Sequence, residues 1–411
     1  MAQSVFAQSA AAPTDDAAAL SLDSAAVESN DDRSGTKLSV EGAVGIARQR
    51  DAGMGNLRRA SVDFTHSIAL APGWRAAISD RLDYVEPAAF GADAAVNSLR
   101  EAYVSWQNEG NTTLFEVGRV NLRYGPGYGY NPTDFFRDSA LRVVTSTNPL
   151  SLRENRLGTF MLRGQYLWTG GSLSAAFAPK LADKPSSEGF SVDLGATNNR
   201  DRGLIVLSQQ ASDRVSAQLL VYKESESTAQ LGANVTALLT DATVAHAEWS
   251  RGREPDLLGR AGLSQPTAAS RNRFAGGLTY TTSSKLSVTA EYHYNGFALN
   301  RSAWDSLRTS ASPAPLVYLV EARRRQELAS RRGFLVYATQ KGVGLASMDL
   351  AALVRLNLED RSKLGWIELR NHWRRFDLAL QLQVHTGDSV SEFGVIPDRK
   401  TVQVVATYYF E

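Results

Sequence analysis

The stretch "RFDLALQLQVH" (Arg375–His385) decides how this chain folds. Phe376, Leu378, Leu380, Leu382 and Val384 alternate strictly with Asp377, Ala379, Gln381, Gln383 and His385. Successive side chains of an extended chain point to opposite faces, so one face is continuously apolar and the other is not. The run is about ten residues long, the length that crosses a hydrocarbon core at the tilt of a barrel strand.

The same period of two recurs outward from it. "RASVDFTHSIAL" (59–70) sets Ala60, Val62, Phe64, Ile68 and Leu70 against Ser61, Asp63, Thr65 and Ser67, with His66 the one polar residue on the apolar side. "KLSVTAEYHYN" (285–295) opposes Leu286, Val288, Ala290, Tyr292 and Tyr294 to Ser287, Thr289, Glu291, His293 and Asn295. "TVQVVATYYF" (401–410) aligns Val402, Val404, Ala406, Tyr408 and Phe410. No stretch approaches about eighteen consecutive apolar residues, so the sequence offers no transmembrane helix; strands apolar at alternate positions do not need one.

The connections separate a soluble sandwich from a membrane barrel. Tight turns fall at 71–73, 108–111, 169–171, 211–213, 240–242, 282–284, 341–344 and 371–373. Between them lie mostly longer connections, near 85–96, 122–158, 180–201, 251–270, 297–331 and 386–399, and short ones near 50–56, 223–227 and 358–362. Turns and loops alternate in order, as an up-and-down barrel requires. The expected fold is an all-β, transmembrane, antiparallel barrel of about 18 strands (16–18), with both termini periplasmic and the long extracellular loops partly folded into the lumen. Trp74, Trp106, Trp168 and Trp249, with Tyr84 and Tyr408, are expected at strand ends, where an amphipathic ring suits the headgroup level.

If the apolar face meets lipid, the other face lines water. Asp63, Arg163, Gln165, Glu248, Glu291, Asp349, Arg355, Glu368 and Arg370 occupy it, and a ring of this size leaves an aqueous channel. The net charge of +1 argues against a general nucleic-acid binder. Arg outnumbers Lys roughly four to one, a fixed charge and planar donor fork suited to pore walls and anion contacts. Cysteine is absent. Residues 1–35 are rich in Ala, Ser and Asp without alternation and read as a disordered leader, the remnant of a removed signal or a periplasmic tail; the barrel is expected over 36–411.

"EVGRVNLRYGPGYGYNPTDFFRD" (Glu116–Asp138) begins as a strand and opens the longest connection. Gly125, Gly127 and Gly129 provide a backbone that turns sharply or lies against a wall, and "TDFFRDSALRVV" (133–144) is expected to form a short helix with an Asp138–Arg142 pair. The functional reading is a constriction or lid lined by Arg119, Arg123, Tyr124, Asp134, Phe135, Phe136, Arg137, Arg142 and Arg163; the alternative is a loop that only stiffens the rim. "SPAPLVYLVEARRRQELASRR" (312–332) places Leu316, Leu319, Val320 and Leu328 at near-helical spacing beside Arg323, Arg324 and Arg325, either as a second inward helix or as an exposed one beside lipopolysaccharide phosphates. With both loops inside, the lumen would favour anionic solutes.

"EAYVSWQNEGNTTLFEVGRVNLRYGPGYGYNPTDFF" (101–136) resembles Gram-negative outer-membrane barrels of the alginate-export and porin-like group. The likeness lies in an EAYxxW-like strand, a hairpin partner carrying GRxN and a GxxxNPTD loop. It covers roughly a tenth of the chain. It implies a substrate-conducting barrel in which Arg119 anchors the strand-to-loop corner, with outer-membrane lipid, lipopolysaccharide and the barrel-assembly machinery as partners. A homo-oligomer is open. Barrels of this kind tend to end in an aromatic residue, and Phe410 stands one position before the end.

Nothing in the sequence points to catalysis. His66, His246, His293, His372 and His385 form no pair at metal-ligand spacing, and without Cys no zinc site is expected. "GPGYG" (125–129) lacks the Lys-Ser/Thr of a phosphate loop, and His293 with Ser287 or Thr289 is spread along one strand. No enzyme, metal or cofactor is expected. The reading is a channel for small polar solutes, anionic ones among them; an export conduit for a polysaccharide or secreted metabolite and a non-conducting structural barrel are the alternatives.

Overall fold

The computed structural model describes residues 35–88, 93–146, 148–190, 193–310 and 313–410. The leader expected over 1–35 lies outside them except for Gly35, as does Glu411. Eighteen strands follow one another in hairpins. The first six are β1 (Gly35–Gln49), β2 (Met54–Ala71), β3 (Trp74–Glu86), β4 (Ala95–Gln107), β5 (Thr113–Val120) and β6 (Thr159–Trp168). Then come β7 (Gly171–Ala178), β8 (Arg202–Ser212), β9 (Val215–Glu224), β10 (Gln230–Thr240), β11 (Thr243–Pro255) and β12 (Ala268–Thr281). The last are β13 (Leu286–Asn295), β14 (Arg332–Gln340), β15 (Met348–Asn357), β16 (Lys363–His372), β17 (Phe376–Thr386) and β18 (Asp398–Phe410). Each pairs antiparallel with its sequence neighbours, and β1 pairs with both β2 and β18, for example Leu38 with Phe410. The barrel is closed, so no edge is left unpaired.

The eight short turns all lie at the end where Gly35 and Phe410 stand, and the long loops lie at the other. The alternation is carried into space as the sequence pattern requires. Leu378, Leu380, Leu382, Val402, Val404, Val62 and Ile68 are exposed on the outer wall, while Asp377, Gln381, Ser61, Thr289 and Glu291 are buried inside. An exposed belt of Leu, Val, Ile and Phe around a charged interior is the inverse of a soluble core and matches the needs of lipid. Trp74, Trp168, Tyr84 and Tyr408 stand exposed near strand ends. Trp249 does not: it sits mid-strand in β11, opposite Ala233 and Phe274.

β5, like β7, is only eight residues long. Its pairing with β4 stops at Ala102–Arg119 and with β6 at Val120–Thr159, because the chain then turns inward at Asn121. Above that level the wall is completed by other segments. The Asn97 N–H donates to the Gly189 carbonyl at 2.7 Å, and the Gly158 N–H to the Leu99 carbonyl at 3.1 Å.

Among the described residues four short helices occur in the loops: α1 (Pro149–Glu154), α2 (Leu257–Arg260), α3 (Arg301–Arg308) and α4 (Ala314–Arg324). The helix expected over 133–144 is absent; that stretch is a run of turns, and the helix of this loop lies further on, at α1. Ser139 takes φ 60°, which ends any helical run, and Asp138 is drawn to arginines of other elements rather than to Arg142.

Candidate functional site

The Gly and Tyr run of loop 121–158 spans the bore. Leaving the wall at β5, the loop carries Tyr128 to within 5.9 Å (ring centroids) of Tyr337 on β14, nine strands round a ring of eighteen. Two inward carboxylates receive it. Glu248 of β11 accepts from the Gly127 N–H (2.6 Å), the Asn131 amide (2.9 Å) and the Thr133 hydroxyl (3.0 Å). Glu291 of β13 accepts from the Tyr128 N–H (2.6 Å) and the Gly129 N–H (2.7 Å). The Nε2 atoms of His246 and His293 stand 2.7 and 2.9 Å from the same carboxylate. Both glutamates are fully buried, and a buried carboxylate is tolerable only when several donors saturate it.

The glycines follow from this closeness. A Cβ on Gly125 would overlap the Glu248 carboxylate, and one on Gly129 would lie 2.6 Å from the His293 ring and 2.7 Å from Leu335. Opposite these latches, an apolar cluster of Leu122, Tyr124 and Phe136 with Met161, Leu204, Val206 and Leu220 seats the loop on β6–β9. Phe135 stacks on Tyr222 of β9 at 4.7 Å.

The residues expected to line the constriction therefore divide. Tyr124, Phe136, Asp134 and Arg137 are buried in the loop's own packing. Asp134 pairs with Arg156 at 2.9 Å, and Phe136 lies under the Arg202 guanidinium at 4.8 Å. Arg163 is buried in the wall against Glu116 at 2.8 Å. Arg119 falls on the outward side of the β5 alternation, beside Phe160, and donates to the Asp193 carbonyl at 3.3 Å, which ties the strand-to-loop corner to loop 179–201. Arg142 likewise donates to the Glu188 carbonyl of that loop. Arg123 is half-buried, with no ion pair among the described residues.

Loop 296–331 closes over this arrangement. α3 and α4 pack through Trp304 and Tyr318, whose rings are 5.8 Å apart, and bury Leu319 and Leu328. Leu316 and Val320 are exposed, so the apolar spacing read in the sequence marks the helix but not its buried face. The two loops are bolted together. Glu327 takes Arg137 at 2.6 Å, Arg273 of β12 at 3.1 Å and the Tyr130 hydroxyl at 2.6 Å. Asp138 takes Arg200 and Arg324 at 3.0 Å and Arg325 at 3.1 Å. Burial alone would raise the Asp138 carboxyl, but these three guanidiniums outweigh it and hold it down at about 2. Glu327, Arg273 and Tyr222 were not singled out from sequence. Only the side-chain-poor Gly run hinted that some acceptor must meet bare backbone.

The remaining wall, from β16 round to β4, carries inward charges held in ion pairs, some partly exposed (Glu41, Asp63, Glu368, Arg370) and some buried (Arg81, Asp83, Asp377). Arg370 holds Glu368 (2.9 Å) and Asp377 (3.6 Å), Arg59 holds Glu41 (2.8 Å), and Arg100 holds Asp63 (2.6 Å). Arg81 reaches Asp83 at 3.0 Å and Asp63 at 3.4 Å. Arg100 also donates to Asn155 of the loop at 3.1 Å, joining this charged crescent to the loop's return. Among the described residues no group of His, Asp and Glu could hold a metal ion.

No family model and no curated protein sequence matches the chain. Solved structures do. Acinetobacter baumannii OccAB1 superposes with a TM-score of 0.56 at 10% identity, over 92% of this chain and 96% of its own. Pseudomonas aeruginosa OccK5 (OpdH) gives 0.54 at 9% identity, over 91% and 98%. A mutant Rh. blastica porin is 11% identical over 92% of this chain and 100% of its own, but its TM-score of 0.44 is too low to bear on the fold. At these identities what is shared is the fold alone.

Proposed function

We propose that this chain is a porin-like channel of a bacterial outer membrane, passing small polar solutes through the crescent between the latched loop 121–158 and the wall of β16 to β4. The carrying observation is the loop itself, pinned across the bore by Glu248 and Glu291, which narrows the lumen while leaving a charged, partly exposed wall beside it. The solved structures that superpose on the chain, OccAB1 and OccK5, and the resemblance of 101–136 to the alginate-export and porin-like group support the same reading. Both charge signs line the crescent, so size and polarity govern passage first. Arg123 and Arg323, without ion pairs among the described residues, tilt it toward anions. The end bearing Gly35, Phe410 and the short turns is assigned to the periplasm.

Planar-bilayer recording of the purified barrel tests this. Steady ohmic steps, with anions favoured in an asymmetric salt gradient, are expected. Silence under all voltages would leave a sealed structural barrel instead.

A further inference from the structure

At the seam where the barrel closes, β1 and β18 set two cations directly opposite one another: Arg48 pairs in register with Lys400. Both are exposed, and strand parity puts both on the outer face. On β1 the buried Ala43 and Ala47 share the inward set with Glu41, which meets Arg59 and Arg81 there; on β18 the inward Gln403 reaches Gln381. Arg48 and Lys400 therefore stand with the exposed pairs Ile46–Val402 and Val44–Val404, which form an apolar belt directly below them. Arg48 is the last residue but one of β1, at the end that carries the long loops. Arg399 is exposed beside the pair, where the register passes from Lys400 to Asp398. Directly opposed residues of an antiparallel pair have Cβ atoms about 5 Å apart, and like charges so placed repel. Among the described residues none of the three cations has an ion pair. Of the nearby acids, Asp51 is exposed in the adjoining turn without an ion pair, and Asp398 keeps its Oδ1 buried.

We propose that Arg48, Lys400 and Arg399 hold a phosphate of lipopolysaccharide against the outside of the barrel seam, with the acyl chains of its lipid A lying along the belt below. A phosphate offers several acceptor oxygens at once, so it can take the fork of a guanidinium and an ammonium together and relieve their repulsion. The belt begins two residues, about 7 Å, beneath the cations, so a headgroup brought in by its own acyl chains arrives at their level. The inference rests on the outer face meeting lipid, with the loop end in the outer leaflet. Lys223 of β9 and Arg253 of β11 are exposed on the outer face as well, but β10 separates them and no like-charged residue stands directly opposite either.

Native mass spectrometry of the full-length barrel in detergent tests this, with lipid A, dephosphorylated lipid A and phosphatidylglycerol as probes. Lipid A is expected to be retained about tenfold more tightly than either of the others. Arg48→Gln combined with Lys400→Gln should lose that advantage, and Lys223→Gln combined with Arg253→Gln should keep it. Three results overturn the proposal. Phosphatidylglycerol held as tightly as lipid A would make the seam a general anionic-lipid surface. Displacement of lipid A by millimolar inorganic phosphate would leave a site for the free anion. Equal losses in the two double variants would spread the effect round the rim. Should the seam variant fail to assemble, the wild-type barrel still decides: equal retention of lipid A with and without its phosphates sinks the assignment. Because no conductance is read, such failures leave the channel reading untouched.

Discussion

Glu248 serves three donors of one loop within 3.0 Å, and Glu291 two backbone N–H groups more, so these two side chains carry the loop's position. Truncating one strands buried donors rather than removing a contact cleanly. Glu248→Ala is expected to cost roughly 3 kcal/mol at the loop. It should raise single-channel conductance, with Glu248→Gln milder in both respects; bilayer recording and heat-modifiability on gels check the pair. Asp138 adds a dependence on acid. Its carboxyl sits at about 2 in the folded chain against an ordinary 3.8. The stability it contributes is therefore present above 3.8 and lost as pH falls through about 2, an amount of about 2 kcal/mol. Wild-type channels should become noisier or wider across that interval, and Asp138→Asn should show the loosened state already at neutral pH; conductance recorded at stepped pH would decide.

At the scale of elements, loop 121–158 is held by partners from β6 to β14 and by loop 296–331, while the strands hold themselves through their ladders. Replacing residues 123–155 with a short Gly-Ser linker is thus expected to leave a folded barrel whose conductance is several-fold higher. An unchanged conductance would mean the loop does not set the narrowest point. The same partners explain the missing helix at 133–144. Propensity there contributes a few tenths of a kcal/mol per residue, and three guanidiniums around Asp138 with a latch at Thr133 outweigh it. α4 illustrates the converse: its helix survives, but Tyr318, Leu319 and Ala322, rather than Leu316 and Val320, meet the neighbouring helices.

For the whole molecule the governing asymmetry is apolar outside, charged inside. Leu380 on the outer face of β17 is 53% exposed, and Leu380→Arg is expected to cost about 2–4 kcal/mol of folding into lipid vesicles. Gln383→Arg, three residues on and facing the lumen, should fold nearly as wild type, because water receives the charge. Urea titration of both variants in vesicles measures the difference. Equal losses would mean that the exposed belt does not face acyl chains.

The strand count, the order of turns and loops, and the inward set from Asp63 to Arg370 were legible in the sequence because a period of two is a local property, repeated about ten residues at a time. The inward course of the glycine-rich loop was legible too, from a length and composition that no free loop needs. Its partners were not. Glu248 and Gly127 are 121 residues apart, as Arg137 and Glu327 are 190, and no spacing in the chain announces such pairs. Closure of the ring decides them, since only when β1 meets β18 does a loop leaving β5 find β11, β13 and β14 across the lumen.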